Sequence, residues 1–273
     1  MTIALAPPER ALRQAVGEDR RRRRRDFWTL YTTRIAILVA VLLAWELLSG
    51  VVLDPFFFSQ PTVIWHQLVL LVQSGQFGPN VLLTVEEAFF GYVAGAIVAT
   101  LAAAVLGLLP RAYAIVEPFV LTVYSIPSVA IGPLVIVWLG IGVNSKIILA
   151  AYFVFFVVFM NGVSGVRSVP PGWIDVTRVM GARRHQLVTK VVLRGAAPHL
   201  MTGLRTAVPQ AVIGAIVGEF ISSQQGIGYL ISSASSRYNT PGVFAAILIL
   251  SVLVLVMAVL LNGMSRLGAR RSA

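Results

Sequence analysis

The chain has 273 residues, of which 57% are hydrophobic and only 12% are charged, and its mean hydropathy is +0.83. A soluble domain carries about 25% charged residues, so this composition argues against a soluble enzyme and is typical of an integral membrane protein. The chain contains no cysteine, which excludes disulfides and thiolate chemistry, and its three scattered histidines predict no metal site. The net charge of +11 leaves three interpretations at this point: nucleic acid, anionic lipid or membrane topology.

The basic N-terminal segment precedes the first apolar run. Residues 1–29 are predicted to form a disordered basic tail, and residues 30–268 a membrane domain. Six consecutive arginines at 20–25 stand about ten residues before the first apolar run, a position typical of basic residues that contact anionic headgroups and fix topology. No nucleic-acid partner is therefore predicted.

Six apolar runs are predicted to cross the bilayer, because a spanning helix needs about 20 mostly apolar residues. They cover about residues 35–53, 88–109, 113–139, 147–166, 204–221 and 243–264. The third run is too long for one straight helix and contains three prolines, so we expect it to break at Ser125-Ile126-Pro127. Helix-breaking prolines need neighbouring helices, which predicts an all-α bundle.

The basic residues predict the orientation of these spans. If the spans alternate from a cytoplasmic N-terminus, Lys146 and Arg237 fall outside, and the other 20 of the 22 lysines and arginines fall inside. Cytoplasmic loops carry the excess of basic residues in membrane proteins. The pattern therefore predicts a multi-pass protein with both termini in the cytoplasm.

The cytoplasmic loop at residues 167–203 is the longest basic connection between spans. Its sequence predicts two short helices, over about 173–180 and 183–193, joined by a turn at Gly181 and followed by breaks at Gly195 and Pro198. Connections in helix bundles usually have about 2–8 residues, so a long helical loop favours a protein partner. The alternative for its arginines is simple positive-inside bias.

The sequence contains no ATP-hydrolysing motif of the P-loop type. Such a loop needs a lysine directly after a glycine, and the two lysines, Lys146 and Lys190, follow a serine and a threonine. No catalytic constellation is predicted either, so the chain is not expected to be an enzyme. Energy for any transport must come from a partner or from an ion gradient.

The same loop resembles a known family signature. Asp175-Val176-Thr177, then three residues, Gly181, nine residues and Val191-Val192-Leu193 resemble the "EAA" signature of permease subunits of bacterial binding-protein-dependent ABC importers. Asp175 stands in place of the signature's glutamate, Val176 and Thr177 in place of its alanines, and Arg194 in place of its usual proline. Further stretches at 58–65, 125–134, 138–142, 218–219 and 226–229 resemble the nitrate/sulfonate/taurine-type branch.

The resemblance implies a type I-like, six-helix importer domain with cytoplasmic coupling helices, located in the bacterial cytoplasmic (inner) membrane. Its expected partners are a second copy of the chain, two ATP-binding subunits and an extracytoplasmic solute-binding protein. ATP and Mg would be bound by the ATP-binding subunits, and this chain is expected to bind no cofactor. The residues that the resemblance places at the contact with the ATPase are Asp175, Arg178, Gly181, Ala182 and Arg183.

Three residues are candidates for the translocation pathway or its gate: Glu46, Pro127 and Glu219. Ionisable residues within spans are costly and are functional candidates. The alternative function is an ion-coupled secondary transporter that uses Glu46 and Glu219 as a proton relay, and Glu219 also suits a structural hydrogen-bonding role. Glu86 and Glu87 are expected to be interfacial. The solute stays open among nitrate, alkanesulfonates, taurine, pyrimidine vitamin precursors and other heterocycles.

Overall fold

A computed structural model describes the backbone of residues 9–270 and the side chains of residues 27–260. These residues form twelve α-helices and one π-helical turn, and no β-strand occurs among them. The chain divides into two compact units, residues 1–63 and residues 64–273. The all-α fold predicted from the apolar runs agrees with this architecture.

The first unit is dominated by one long helix, α1, at Glu9–Leu48. Its apolar part, Phe27–Leu48, is long enough to cross a membrane. The helix begins inside the segment 1–29 for which the sequence predicts disorder, in agreement with the good helix propensity of its alanine, arginine and glutamate residues. Residues 1–8 of that segment, and the side chains at 20–25, lie outside the described residues. The short helix α2 follows at Pro55–Phe58.

The helices that follow form the membrane bundle. They are α3 (Pro61–Gln73), α4 (Phe77–Gly107), α5 (Pro110–Ser125), α6 (Ser128–Leu139), α7 (Val143–Arg167), α8 (Pro171–Val179), α9 (Arg184–Gln186), α10 (Leu193–Ser222), α11 (Ile227–Ser236) and α12 (Thr240–Arg270). A π-helical turn at Leu187–Val192 joins α9 to α10.

Helices α4 and α7 run in the same direction and are in close contact along their length. Gly91 of α4 packs on Ala150 of α7, and a methyl group on Gly107 would lie 2.7 Å from Val166 Cβ. Since the chain leaves α4 at one end and enters α7 at the other, residues between them must return across the bundle. The sixth crossing therefore belongs to the α5–α6 segment.

The returning segment is a pair of helices with a sharp bend. Helices α5 and α6 are inclined at 92° to each other, and the break lies at Ile126 and Pro127, where the sequence predicts it. Five helices and this bent pair are long and apolar enough to give six spans in the described residues.

Helix α10 runs antiparallel to α7 and completes the three-helix core. A methyl group on Gly214 would lie 2.6 Å from the Cα of Ala150, and one on Gly218 would lie 2.8 Å from Lys146 Cγ. The core thus has two ends. We call them the Lys146 end, where α4 and α7 begin and α10 finishes, and the Arg167 end, where α4 and α7 finish and α10 begins.

The predicted helix breaks at Gly195 and Pro198 are wrong. The chain is helical from Arg184 to Ser222, with Pro198 inside α10. Two features explain the difference. The π-helical turn before α10 redistributes the backbone hydrogen bonds, and Gly195 serves close packing, because a methyl group there would lie 2.9 Å from Val169 Cγ2. The fifth spanning helix is therefore continuous with the last part of the loop at residues 167–203, which the sequence analysis predicts to be separate from it.

Replacement of Gly95 by alanine tests the helix contact. Its methyl group would lie 2.5 Å from the carbonyl oxygen of Ala151, so Gly95→Ala should destabilise the bundle by about 1–3 kcal/mol. Gly78→Ala is the control on the same helix, because nothing lies within 4 Å of the added carbon. Thermal unfolding in detergent, followed by tryptophan fluorescence, should show a lower Tm for Gly95→Ala alone. Equal Tm values would contradict backbone contact at Gly95.

Candidate functional site

Three charged side chains are buried at the Lys146 end. Glu87 is 0% exposed, Glu219 is 1% exposed and Lys146 is 4% exposed. Lys146 Nζ lies 3.0 Å from Glu87 Oε1 and donates a hydrogen bond of 2.9 Å to Ser223 Oγ. The ion pair joins α4 to α7, and the hydrogen bond joins α7 to the residue after α10.

The Glu219 carboxylate connects α10 to the start of α11. Its Oε1 accepts a hydrogen bond from Thr84 Oγ1 at 2.6 Å, and its Oε2 accepts one from the Gly228 backbone N–H at 2.5 Å. The first N–H groups of a helix have no partner within the helix, and side-chain oxygens commonly satisfy them. Glu219 therefore caps α11.

The two backbone N–H groups before Gly228 are satisfied by α4. The Gly226 N–H donates to Asn80 Oδ1 at 2.6 Å, and the Ile227 N–H donates to Thr84 Oγ1 at 2.9 Å. Gly226 has a φ of +108° and lies against the Glu219 carboxylate, where no side chain fits. Both its backbone conformation and the close approach require glycine.

The interfacial position expected for Glu87 is wrong, because its side chain is buried against Lys146. One sequence pattern does indicate that Glu87 is buried, namely a stripe of polar residues in an apolar helix. Asn80, Thr84 and Glu87 follow one another at helical spacing on one face of α4. Lys146 is predicted from the sequence to lie in an outer loop, but its side chain lies in the core.

A cavity of about 870 Å³ with a mixed polar and apolar lining adjoins this cluster. Its lining includes both Lys146 and Glu219, together with serines of α11 and Arg237 after it. Lys146 is paired with Glu87, and the Glu219 carboxylate accepts hydrogen bonds from Thr84 and the Gly228 N–H, so both groups already have partners within the protein.

The two remaining pathway candidates, Glu46 and Pro127, belong to different units of the chain. Glu46, in the first unit, accepts hydrogen bonds from the Thr62 N–H at 3.1 Å and from Thr62 Oγ1 at 2.7 Å, and it thereby satisfies the first turn of α3. Pro127 precedes α6 at the 92° bend. The structure therefore does not bring Glu46, Pro127 and Glu219 together within one unit.

The predicted coupling residues lie at the Arg167 end. Helix α8 ends in a turn in which the Ala182 N–H donates to the Thr177 carbonyl at 3.2 Å and the Gly181 N–H to the Arg178 carbonyl at 3.0 Å. Gly181 has a φ of +81°. This is the Schellman arrangement, in which the residue with positive φ is usually glycine. The predicted sharp turn at Gly181 is confirmed.

The tip of this turn is apolar and exposed. Val179 is 88% exposed and Met180 is 81% exposed, and none of the nine residues of α8 is buried. Adjacent exposed apolar side chains on a loop outside the spanning helices are candidates for an interaction site. Sequence reasoning selected the charged and small residues of the turn and missed these two.

The turn is attached to the bundle by a small apolar cluster. Val166, Val169, Val192 and Ala196 form the cluster, and Ile174 of α8 packs against it. The position of helix α8 is thus fixed by contacts with the end of α7 and with the start of α10.

The charged coupling candidates make only local contacts. Arg178 lies 3.3 Å from Asp175, and because both side chains are more than half exposed the pair contributes little to stability. The Arg183 N–H donates to Gln186 Oε1 at 2.9 Å, which fixes the start of α9. Ala182 is half-buried behind the tip.

Comparison with known families assigns the chain to a protein family. The family model described as "Binding-protein-dependent transport system inner membrane component" matches residues 91–271. The chain belongs to this family. The match runs from within α4 to the end of the chain's last helix and includes the Gly181 turn and Glu219. Members of this family are membrane components of transporters, so the chain is an importer permease and not an enzyme.

Curated relatives agree over most of the chain. A probable ABC transporter permease protein of Haemophilus influenzae is 32% identical over 79% of this chain and 88% of its own length. A putative aliphatic sulfonates transport permease of Bacillus subtilis is 29% identical, with 84% and 83% covered. A formylaminopyrimidine transport permease of Halalkalibacterium halodurans is 28% identical, with 84% and 91% covered.

A solved structure shares the fold. A chain of the inward-facing methionine ABC transporter MetNI superposes with a TM-score of 0.55 at 21% identity, over 75% of this chain and 94% of that chain. The predicted importer fold and the resemblance to the sulfonate/taurine branch are confirmed by these relatives. The ion-coupled secondary transporter is not supported.

Removal of the Lys146 charge tests the buried ion pair. Loss of one partner leaves the other charge buried and unpaired, so Lys146→Met should destabilise the permease by about 3–5 kcal/mol. The double variant Lys146→Met/Glu87→Gln removes both charges and should regain much of that loss. Thermal unfolding of the two single variants and the double variant in detergent measures the coupling. Additive effects would show that the two side chains do not interact.

Proposed function

We propose that this permease works as a homodimer with two ATP-binding subunits on its cytoplasmic face and an extracytoplasmic binding protein that delivers the solute. The ATP-binding subunits bind ATP and Mg, and the permease binds neither. The Arg167 end faces the cytoplasm and the Lys146 end faces outwards, with both termini inside the cell. The excess of basic residues at the Arg167 end and in the N-terminal segment supports this orientation.

The exposed turn at Gly181 is the observation that carries the proposal. It projects two large apolar side chains, Val179 and Met180, from a short helix that buries none of its own residues. Burial of such side chains in a groove of the ATP-binding subunit would supply the apolar centre of the contact. Asp175, Arg178 and Arg183 would surround it as the charged rim, and Ala182 would permit close approach.

Helix continuity supports a mechanical role for the turn. The helical segment from Arg184 to Ser222 extends from the Gly181 turn to the Lys146 end, where Glu219 caps α11. A displacement of the turn by the ATP-binding subunit would therefore move the outer end of the same segment. In this proposal Glu219 acts by holding α11 to α10, and not as a proton carrier.

Tight packing within one copy supports a pathway between two copies. Helix α7 is in close contact with α4 and with α10, at Gly91 and at Gly214, so no channel separates these three helices. A solute must then pass along a face that a second copy completes. The bent α5–α6 pair is our candidate for that face, with Pro127 at its bend, whereas Glu46 would serve to hold the start of α3.

The solute is proposed to be a small organic compound such as a sulfonate or a pyrimidine, the classes named for the sulfonate and formylaminopyrimidine relatives. Nitrate and other heterocycles belong in the same test. Because Lys146 is paired with Glu87, it is not left as a free buried cation for an anionic solute, and selection is assigned to the binding protein. Equilibrium binding of these compounds to that protein would identify the solute.

Replacement of Gly181 by valine tests coupling. A β-branched residue is unfavourable at positive φ, but nothing lies within 4 Å of the added carbon, so Gly181→Val should alter the turn without disturbing the bundle. We expect normal membrane insertion and loss of solute-stimulated ATP hydrolysis in the reconstituted complex. Gly172→Val, on the same loop and equally uncrowded, is the control and should keep stimulation. Normal stimulation with Gly181→Val would contradict the coupling role.

The absence of native cysteines permits a direct test of orientation. Val179 and Tyr238 are 88% and 76% exposed at opposite ends of the bundle. In intact spheroplasts that express the permease without its ATP-binding subunit, a membrane-impermeant maleimide should label Tyr238→Cys and should label Val179→Cys only after the membrane is permeabilised. The reverse pattern would overturn the proposed orientation.

A further inference from the structure

A second cavity, of about 860 Å³, lies at the Arg167 end beneath the coupling turn. Its apolar wall comes from the end of α4, the end of α7 and the π-helical turn, with Leu108, Val166 and Leu187 as examples. The other part of its lining carries three arginines: Arg167, Arg178 and Arg184. No acidic residue occurs among the described residues that line it.

The three guanidinium groups are available to a ligand. Arg167 lies over the Tyr113 ring, with Cζ 4.9 Å from the ring centroid, a contact that orients the group without neutralising its charge. Arg178 has only the exposed Asp175 as its ion partner, a weak and exchangeable contact. Arg184 opens α9 and is exposed. The cavity therefore has a positive rim.

The position of the cavity favours an amphiphilic ligand. It lies where the spanning helices α4 and α7 end, which is the boundary between hydrocarbon and water, and its lining is apolar on one part and cationic on the other. Arginine matches phosphate through paired N–H donors, and basic pockets between helices at this depth suit lipid headgroups. The volume is within the range of about 300–1,000 Å³ found for small-molecule sites.

We propose that this cavity binds the phosphate headgroup of an anionic phospholipid, with the arginines on the phosphate and the first acyl methylenes on the apolar wall. The lipid would come from the cytoplasmic leaflet, an assignment that rests on the orientation proposed above. The exposed tip, Val179 and Met180, does not line the cavity, but Arg178 and Ala182 do, so the lipid and the ATP-binding subunit would share one edge of the coupling turn. A bound lipid would support α8 against the bundle and hold the coupling turn in place.

The experiment measures lipid binding to the full-length permease in neutral detergent. Native mass spectrometry compares phosphatidylglycerol with phosphatidylcholine of the same acyl chains, each titrated against the wild type and Arg167→Gln/Arg184→Gln. Each basic residue near an anionic headgroup contributes about fivefold in affinity, so we expect the double variant to bind phosphatidylglycerol about 25-fold more weakly. Arg111→Gln/Arg194→Gln removes two exposed arginines that do not line the cavity, and it should bind like the wild type.

The outcomes separate the possible ligands. Equal binding of the two lipids, or equal loss in the control variant, would overturn the proposal in favour of non-specific adsorption. Displacement of phosphatidylglycerol by millimolar inorganic phosphate would assign the site to free phosphate, and displacement by the ATP-binding subunit would assign it to that protein. Arg184→Glu, at an exposed position, repeats the test if the double variant does not fold. The lipid titrations use the permease alone in detergent, so their result is independent of the proposed orientation and coupling.

Discussion

Close packing of α7 against α4 and α10 is the constraint on which the rest of the structure depends. Lipid tails are as apolar as leucine, so helices in a bilayer associate through close van der Waals contact and interhelical hydrogen bonds. Glycines at Gly91 and Gly95 of α4 and at Gly214 of α10 bring the helices to this distance from α7. The contact fixes α4 and α7 in parallel, which in turn requires the bent α5–α6 pair to return the chain across the bundle.

The same packing explains how charged groups can be buried at the Lys146 end. Lys146 is held against Gly218 of α10 and reaches Glu87 of α4, so one side chain connects all three core helices. A buried ion pair is costly to desolvate and is retained only where its geometry is fixed by its surroundings. Here those surroundings are helices in direct contact. Glu219 extends the connection to α11 through a backbone hydrogen bond.

The sequence predicted those features that depend on local chemistry. Apolar runs located the spanning segments, prolines located the bend at Pro127, and Gly181 located the turn that its positive φ requires. The sequence did not predict features that depend on a residue close in space but distant in sequence. Gly195 resembles a helix break until Val169 is seen beside it, and Glu87 resembles an interfacial residue until Lys146 is placed next to it. The arginine-lined cavity joins segments distant in sequence and has no local pattern.

The two ends of the bundle differ in the regularity of their backbone, and this difference bears on transport. At the Lys146 end, α10 is connected by the buried contacts of Glu219 and by the packing of Gly218 on Lys146. At the Arg167 end Gly165 of α7 also packs against α10 at Ala196, but α10 is preceded there by a π-helical turn, a less regular backbone. A force on the coupling turn would therefore pass through the π turn before it reaches the outer end of the segment. A ligand in the arginine-lined cavity, which the π turn also lines, would brace that turn.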